Sequence, residues 1–420
     1  LDEILVSWSD ESATLIGFAP WSRVSLAPTE TRGAAVLFVA YALMFVITVQ
    51  RIERFKDAEN ILKWIALAAV AMASLGLVQY LASNGKFLWI YEHPFRTVRG
   101  VQGSFINRNH FAHLLALGLG PLGFWLVTAW RNRARQPKDG FAASVADSGR
   151  HRHLPIALTI GAGIVLFAGL SSLSRGGAVA IGTSLFVMAI IHYGGGLIDK
   201  KYVWTAAGVG VLLIASLFIH GYDQLSDRLD DFAAGSLDEL DRHSARMNLW
   251  KANWLAFTKS PWLGHGVASH RELYPIFMQN RLDVEFTHAE NGYLQVASEA
   301  GLAGLLLLLA GIGFCVYWCL NGLRHADSPA CLAALAAVSA SLAASIVHSI
   351  ADFVWFIPAT ISWTVILAAV AFRLHQLARG DASQERSIAC PRMAWMGSTV
   401  FALVLGSWMI SDRLPSAQAS

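Results

Sequence analysis

The chain has 420 residues, of which 55% are apolar and only 15% are charged, and its mean hydropathy is +0.46. Soluble domains carry about 25% charged residues, and a net charge of +3 is too small for a groove that follows nucleic-acid phosphates. The composition excludes a soluble enzyme, a disordered chain and a nucleic-acid-binding protein. A polytopic α-helical membrane protein remains.

Charged residues are clustered, and apolar stretches of ~17–22 residues lie between the clusters. A helix of that length crosses a hydrocarbon core ~30 Å thick. We therefore predict an all-α membrane protein that forms a single membrane domain over residues 1–420. Ten spans are expected, at 33–49, 61–82, 110–130, 154–171, 177–193, 203–220, 301–320, 330–350, 356–372 and 394–410.

Residues 1–32 are not predicted to span the membrane, because acidic residues interrupt their apolar ones. We expect an outer interfacial segment, with an amphipathic helix at residues 1–18. The chain begins with Leu1 rather than Met, so we expect further residues before it. If the native N-terminus is cytoplasmic, an odd number of spans precedes Leu1.

Lys and Arg are concentrated in alternate loops, at 50–60, 131–153, 194–202 and 373–393. Loops rich in Lys and Arg remain in the cytoplasm. The loops at 83–109, 172–176, 221–300 and 351–355 are therefore predicted to face outward, into the periplasm.

The outward loop 221–300 is about eighty residues long, and a loop of that length without a function is unusual. Its aromatic content predicts folded structure, with one helix from Asp238 to Phe257. Arg242 and Arg246 are four residues apart on that helix and share one face. They could bind one anion together or could both be solvated, and the spacing leaves both interpretations open.

A polar stripe leads from this loop into the next span, where the sequence reads HAENGYLQVASEAGLAGLLLLL. His288, Asn291, Gln295 and Glu299 are three, four and four residues apart, which predicts one face of one helix. Ordinary polar residues at an interfacial helix end give the same spacing. A continuous stripe that enters the membrane instead favours a wet cavity in the protein interior.

Arg175 lies in LSSLSRGGAVA, at a short outward turn between two spans. Its guanidinium could extend to the membrane interface. The small residues around it favour a different interpretation, in which a large ligand approaches closely and the forked guanidinium binds phosphate.

Two further polar groups lie on the outward side. The segment GSFINRNHFAH places Asn107, Asn109 and His110 at the mouth of a span, and His348 and Asp352 lie four residues apart at the end of another. Taken alone, both groups are interpreted as structural. The sequence contains no Rossmann or P-loop pattern and no paired-carboxylate motif for Mg²⁺, so we expect no cofactor and no metal.

The periplasmic side offers no nucleoside triphosphates, so group transfer there needs a donor that carries its own leaving group. A lipid-linked diphosphate glycan is such a donor. Its chemistry requires cations at the diphosphate and a general base for the acceptor hydroxyl. An arginine near the bilayer and a histidine at the mouth of a cavity match these needs.

An ordered set of motifs resembles the O-antigen ligase superfamily. In chain order, the motifs are NRNHFA, SxSRGG, RxxxW followed by SPWLGHG, THAENGYLQVASEAG and HSIADF. This superfamily includes O-antigen ligases, O-antigen polymerases and bacterial protein O-oligosaccharyltransferases. The similarity covers residues 20 to 372 approximately. It implies a GT-C-like, inverting, metal-independent glycosyltransferase that uses a polyprenyl-diphosphate glycan at a periplasmic cavity.

The resemblance also implies roles for individual residues. Arg175 and Arg246 correspond to the arginines that bind the diphosphate, and His288 corresponds to the catalytic base. Arg242 is close enough to Arg246 that the assignment between them stays open. The family has twelve spans where ten are predicted here. The remaining predicted substrate-binding residues are Asn291, Asn107, Asn109 and Glu299.

The alternative function is a non-enzymatic transporter of lipid-linked glycans, which would need cationic residues along the whole pathway. The span cores contain almost none. The predicted partners are a polyprenyl-diphosphate-linked glycan donor and membrane lipid, in the bacterial inner membrane. The acceptor is left open between lipid A-core, which we favour, a second lipid-linked repeat, and a protein hydroxyl.

Overall fold

The structure is a computed structural model that describes residues 25–91, 100–134, 145–198, 208, 238–278 and 285–380. Within these ranges the regular elements are helices, apart from one isolated bridge between Phe87 and Tyr91. Eight of the described helices are long and apolar enough to cross a membrane. The predicted class, an all-α polytopic membrane protein, is confirmed.

The described helices follow one another with few intervening residues except around the predicted periplasmic loop. In chain order they are α1 (Pro28–Arg51), α2 (Phe55–Leu81), α3 (Arg108–Ala134), α4 (Val145–Ser171), α5 (Arg175–Gly194), α6 (Asp238–Lys259), α7 (His270–Phe277), α8 (Gly292–Arg324), α9 (Pro329–His348) and α10 (Pro358–Ala378), with a 3₁₀ turn at Val354–Phe356.

Several predictions fall largely outside the described residues. They are the interfacial helix at 1–18 and the spans at 203–220 and 394–410. The chain divides into two units, Leu1–Ala378 and Arg379–Ser420, and all the helices above belong to the first. A single membrane domain over residues 1–420 stays a prediction, as does the periplasmic placement of 221–300.

Helices α1, α2, α4 and α8 begin five or more residues earlier than predicted. Helix α1 begins at Pro28 rather than 33, so the end of the segment 1–32 is already helical. Proline is suited to the first turn of a helix, because its missing N–H has no partner there anyway. Helix α8 begins at Gly292 rather than 301, because the side chain of Asn291 caps it by accepting a hydrogen bond from the Leu294 N–H.

Helices α3 and α9 are the most buried of the eight candidate spans. Helix α9 is rich in alanine and serine and packs against α3, α5 and α10. At the contact with α3, the Ser341 hydroxyl donates to the Leu117 carbonyl at 2.7 Å, and a Cβ added at Gly120 would lie 2.1 Å from the Ala337 carbonyl oxygen. Small residues of this kind allow membrane helices to pack backbone against backbone.

Helix α8 is broken at Gly301, which has φ 64° and ψ −163°. We call residues 260–266 the strap, because their backbone bonds to both sides of the break. The hydrogen bonds run from Leu302 N to Pro261 O (2.6 Å), Ala303 N to Trp262 O (3.2 Å), His265 N to Ser298 O (3.3 Å) and Gly266 N to Glu299 O (2.8 Å). Irregular backbone in a membrane helix is tolerated where the protein satisfies it in this way.

We predict that Gly120→Ala lowers the stability of the purified protein, because the added methyl group forces α3 away from α9. Overpacking of this kind costs about 1–3 kcal/mol. The matched control is Gly163→Ala in α4, where a Cβ meets no atom within 4 Å. Thermal unfolding in detergent should show a lower midpoint for Gly120→Ala and no loss for Gly163→Ala. Equal midpoints would contradict the close contact.

Candidate active site

A buried carboxylate, that of Asp352, lies just after α9 and is only 1% exposed. Asn109 Nδ2 donates to its Oδ2 at 2.7 Å, and the Phe353 N–H donates to its Oδ1 at 2.7 Å. His110 Nε2 lies 3.3 Å from Oδ1. Burial acts to raise the pKa of Asp352, but His110 and Asn109 outweigh it and lower the pKa below its usual value. Asp352 is therefore ionised at neutral pH.

Asn109 connects this carboxylate to the start of α5. Its Oδ1 accepts a hydrogen bond from Ser174 Oγ at 2.7 Å, and Ser174 in turn caps α5 by accepting from the Gly177 N–H at 3.0 Å. The Asn107 side chain accepts from the Asn109 N–H at 2.8 Å. Both asparagines thus have structural partners within the protein, and their predicted substrate contacts stay predictions.

Arg175 follows Ser174 directly as the first residue of α5, and its side chain is exposed. Leu173, two residues earlier, has φ 56°, a backbone conformation that costs energy for a residue with a side chain. Strain of this kind is found where a fold must hold a neighbouring group in place. The turn between α4 and α5 therefore presents Arg175 next to Ser174, which is bonded to Asn109.

The two glycines after Arg175 make room for the protein's own side chains rather than for a ligand. A Cβ on Gly176 would lie 2.7 Å from His348 Nε2, and one on Gly177 would lie 2.3 Å from the Ala112 methyl group. His348 Nδ1 also lies 3.1 Å from Nδ1 of the buried His113. We expected these glycines to make room for a large ligand. That expectation is wrong on the side of the turn that faces His348 and Ala112, because these side chains fill the space there.

His288 precedes α8 and does not lie on it, so the predicted stripe on one helix is wrong at its first member. The Asn291 cap starts the helix three residues after His288. Between them, Glu290 has φ 55°, so the chain reverses direction there. The remaining members, Gln295 and Glu299, do lie on α8 and are buried.

The His288 ring is held between aromatic and polar groups. It stacks on the Phe353 ring with 4.3 Å between centroids and 2° between planes, and its Nδ1 lies 3.0 Å from the Thr287 hydroxyl. Burial and, to a smaller extent, the nearby His110 lower the pKa of His288 to about 4, against the opposing effect of Asp352. The ring is therefore neutral at neutral pH.

Arg246 forms an ion pair with Glu290, with 2.5 Å between Nη2 and Oε2. Burial raises the pKa of Glu290, the charge of Asp352 raises it further, and Arg246 opposes both. Glu290 had no predicted role, although this residue lies two positions after His288. Arg242 lies in the same helix, α6, but its side chain is outside the described residues.

Glu299 fastens the loop before α7 to α8. Its carboxylate accepts hydrogen bonds from the N–H groups of Ala268 (2.8 Å) and His270 (3.2 Å) and from Gln295 Nε2 (3.0 Å). Ala268 has φ 62°, and its bond to Glu299 holds it there. Glu299 therefore has a structural role, and its predicted contact with substrate stays a prediction.

The structure brings together residues that are far apart in sequence around Asp352. His110, His288, Glu290 and Asn109 all act on it directly or through its charge. Sequence reasoning interpreted Asp352 and His110 as structural and passed over Glu290. The available signal was their position within the segments NRNHFA, THAENG and HSIADF. Among the described residues, no group of three or more His, Cys, Asp or Glu is arranged to hold a metal ion.

Comparison with known families agrees with this geometry. Residues 160–309 match the family model described as O-antigen ligase, and the match includes Arg175, Arg246 and His288. The fold and the site together define a class of protein. It is a multi-pass helical membrane protein with a buried polar cluster at one end of its helices. The match covers 150 of the 420 residues and supports the resemblance to the O-antigen ligase superfamily that the motifs indicated. No curated protein matches its sequence.

Proposed function

We propose that this protein is an inverting, metal-independent glycosyltransferase that acts at the periplasmic face of the bacterial inner membrane. It moves a glycan from a polyprenyl-diphosphate donor to an acceptor hydroxyl, with lipid A-core as the favoured acceptor. The observation that carries the proposal is a neutral histidine, His288, that lies in the field of the ionised Asp352 and two residues before Glu290, the ion-pair partner of Arg246. A base and cations next to one another are what this transfer requires.

The two arginines are suited to the diphosphate in different ways. Arg175 is exposed at the start of α5, and no described residue accepts a hydrogen bond from its guanidinium. Arg246 is held by Glu290 until a diphosphate, which carries more charge, replaces that carboxylate. Because burial already raises the pKa of Glu290, loss of Arg246 favours its protonation, so no unpaired charge is left behind.

His288 takes the proton of the acceptor hydroxyl in this mechanism. The acceptor oxygen then attacks the anomeric carbon on the face opposite the diphosphate. The bond from that carbon to the diphosphate oxygen breaks, and polyprenyl diphosphate leaves. The configuration of the anomeric carbon is therefore inverted in the transferred glycan. A pKa of about 4 makes the free ring a weak base. A bound diphosphate stabilises the imidazolium and raises that pKa, so the base strengthens when the donor is present.

The direct test is transfer by purified protein in excess EDTA. Lipid-linked donor and lipid A-core are supplied together, and the new linkage is identified by its anomeric configuration. Inverted product formed at an undiminished rate supports the proposal. Activity that disappears with EDTA and returns with Mg²⁺ or Mn²⁺ refutes the metal-independent mechanism, and donor that crosses the membrane without any new linkage supports the transporter instead.

We predict that Arg175→Lys loses about a hundredfold in transfer rate although the charge is kept. Lysine cannot form the forked pair of hydrogen bonds to diphosphate oxygens, and loss of one such contact costs on the order of 3 kcal/mol. Arg324→Lys, an exposed change at the far end of α8, is the control. Near-normal transfer by Arg175→Lys at normal expression would mean that Arg175 only extends to the membrane interface.

We predict that His288→Gln is as inactive as His288→Ala, with kcat reduced by ~10²–10⁴, because glutamine cannot accept the proton. The exposed His325→Gln is the control. In wild-type protein, kcat/KM for the donor should stay flat from pH 7.5 to 5.5 and fall only near pH 4, since the neutral ring is the active form. A Gln variant within a few-fold of wild type would show that His288 is not the base.

We predict that the site faces the periplasm. In a background without native cysteines, Ser83→Cys follows α2 on the proposed outer side, and Asp327→Cys lies between α8 and α9 on the proposed inner side; both positions are exposed. An impermeant thiol reagent should label position 83 in intact spheroplasts and position 327 only after permeabilisation. The opposite pattern would reverse the orientation.

A further inference from the structure

A cavity of about 240 Å³ lies beside His288 and has no part in the mechanism above. Its walls come from five separate segments of the chain. They include Glu30 at the start of α1, Glu272 in α7, Gln295 and Glu299 in α8, and the rings of His288 and Phe356. Neither Arg175 nor Arg246 lines it.

The charge of this cavity is the opposite of what a diphosphate needs. Glu30 and Glu272 are exposed carboxylates for which the described residues supply no ion-pair partner. Arg271 is the cation of the lining, and it is paired with Glu285. Carboxylates without a counter-charge repel phosphate oxygens. The donor headgroup therefore belongs outside this cavity, near Arg246 and Glu290, which do not line it.

The same lining is suited to a sugar. Carboxylates accept strong hydrogen bonds from hydroxyl groups, and the Phe356 ring offers an apolar surface to the C–H face of a pyranose. At about 240 Å³, the cavity is of a size to take a sugar ring. Buried Gln295 and Glu299 form its floor and are held by the bonds described above.

We propose that this cavity is the acceptor subsite, which binds the terminal sugar ring of the acceptor and presents one hydroxyl to His288. The assignment rests on the proposed glycosyl transfer. It implies that the acceptor is a carbohydrate rather than a protein side chain. The sugar can come from lipid A-core or from a second lipid-linked repeat, because both end in a ring with free hydroxyls.

The test is direct binding to the purified full chain without donor. Two soluble probes separate the sources: the core oligosaccharide released from the host lipopolysaccharide, and the repeat-unit oligosaccharide released from the lipid-linked donor. The variants are Glu30→Ala, Glu272→Ala and the double variant. The control is Glu53→Ala, an exposed carboxylate between α1 and α2. Because all three positions are exposed, folding should survive, and thermal unfolding checks this for each variant.

We predict that one of the two probes binds to wild-type protein and that its Kd rises about tenfold in each single variant. The double variant should lose about a hundredfold, and Glu53→Ala should match wild type. In the transfer assay the acceptor KM should rise in parallel, while the donor KM stays within twofold. Failure of both probes to bind, equal binding by wild type and the double variant, or preference for a serine-containing peptide would overturn the assignment.

The two proposals fail separately. Wild-type protein that binds a probe through Glu30 and Glu272 but transfers no glycan refutes the proposed reaction and leaves the carbohydrate site standing. Protein that transfers glycan with an unchanged acceptor KM in the double variant refutes the subsite and leaves the reaction standing.

Discussion

The ionised carboxylate of Asp352, buried at one end of the helices, is the group on which the polar cluster around it depends. A buried charge is stable only while its partners stay in place, and loss of one partner costs about 3–5 kcal/mol. Here the partners come from the start of α3, and through Asn109 the same network reaches the start of α5. One charge thus fixes the ends of several spans relative to each other, and the aromatic platform under His288 is the residue next to it.

The membrane helices were predictable because apolar length alone decides them. The eight described spans match eight of those predicted. The earlier starts at Pro28 and Gly292 arise where a first-turn proline and the Asn291 cap extend a helix beyond its apolar core. At the site, periodicity was misleading. The spacing placed His288 on α8. In the structure the helix begins only after the Asn291 cap, and Glu290, with its positive φ, lies before that cap.

Contacts between distant segments could not be predicted. Asn109 and Asp352 are 243 residues apart, and Arg246 and Glu290 are 44 apart. No local pattern gives such pairs, because each residue alone has an ordinary structural explanation. The motif order indicated the resemblance to the superfamily and, through it, proposed roles for His288 and Arg246. It could not show that Glu290 holds the arginine or that Glu30, from a different helix, shares a cavity with His288.

The break at Gly301 separates α8 into two parts that lie in different surroundings. The first part, with Gln295 and Glu299, is bonded to the strap and to the loop before α7, whereas the second part exposes apolar side chains such as Leu307. Helices adjust their tilt when bilayer thickness changes. Because the backbone at Gly301 is not helical, a change of tilt in the second part need not rotate the first. The buried polar contacts of the first part can therefore stay in place while the lipid surroundings of the second part vary.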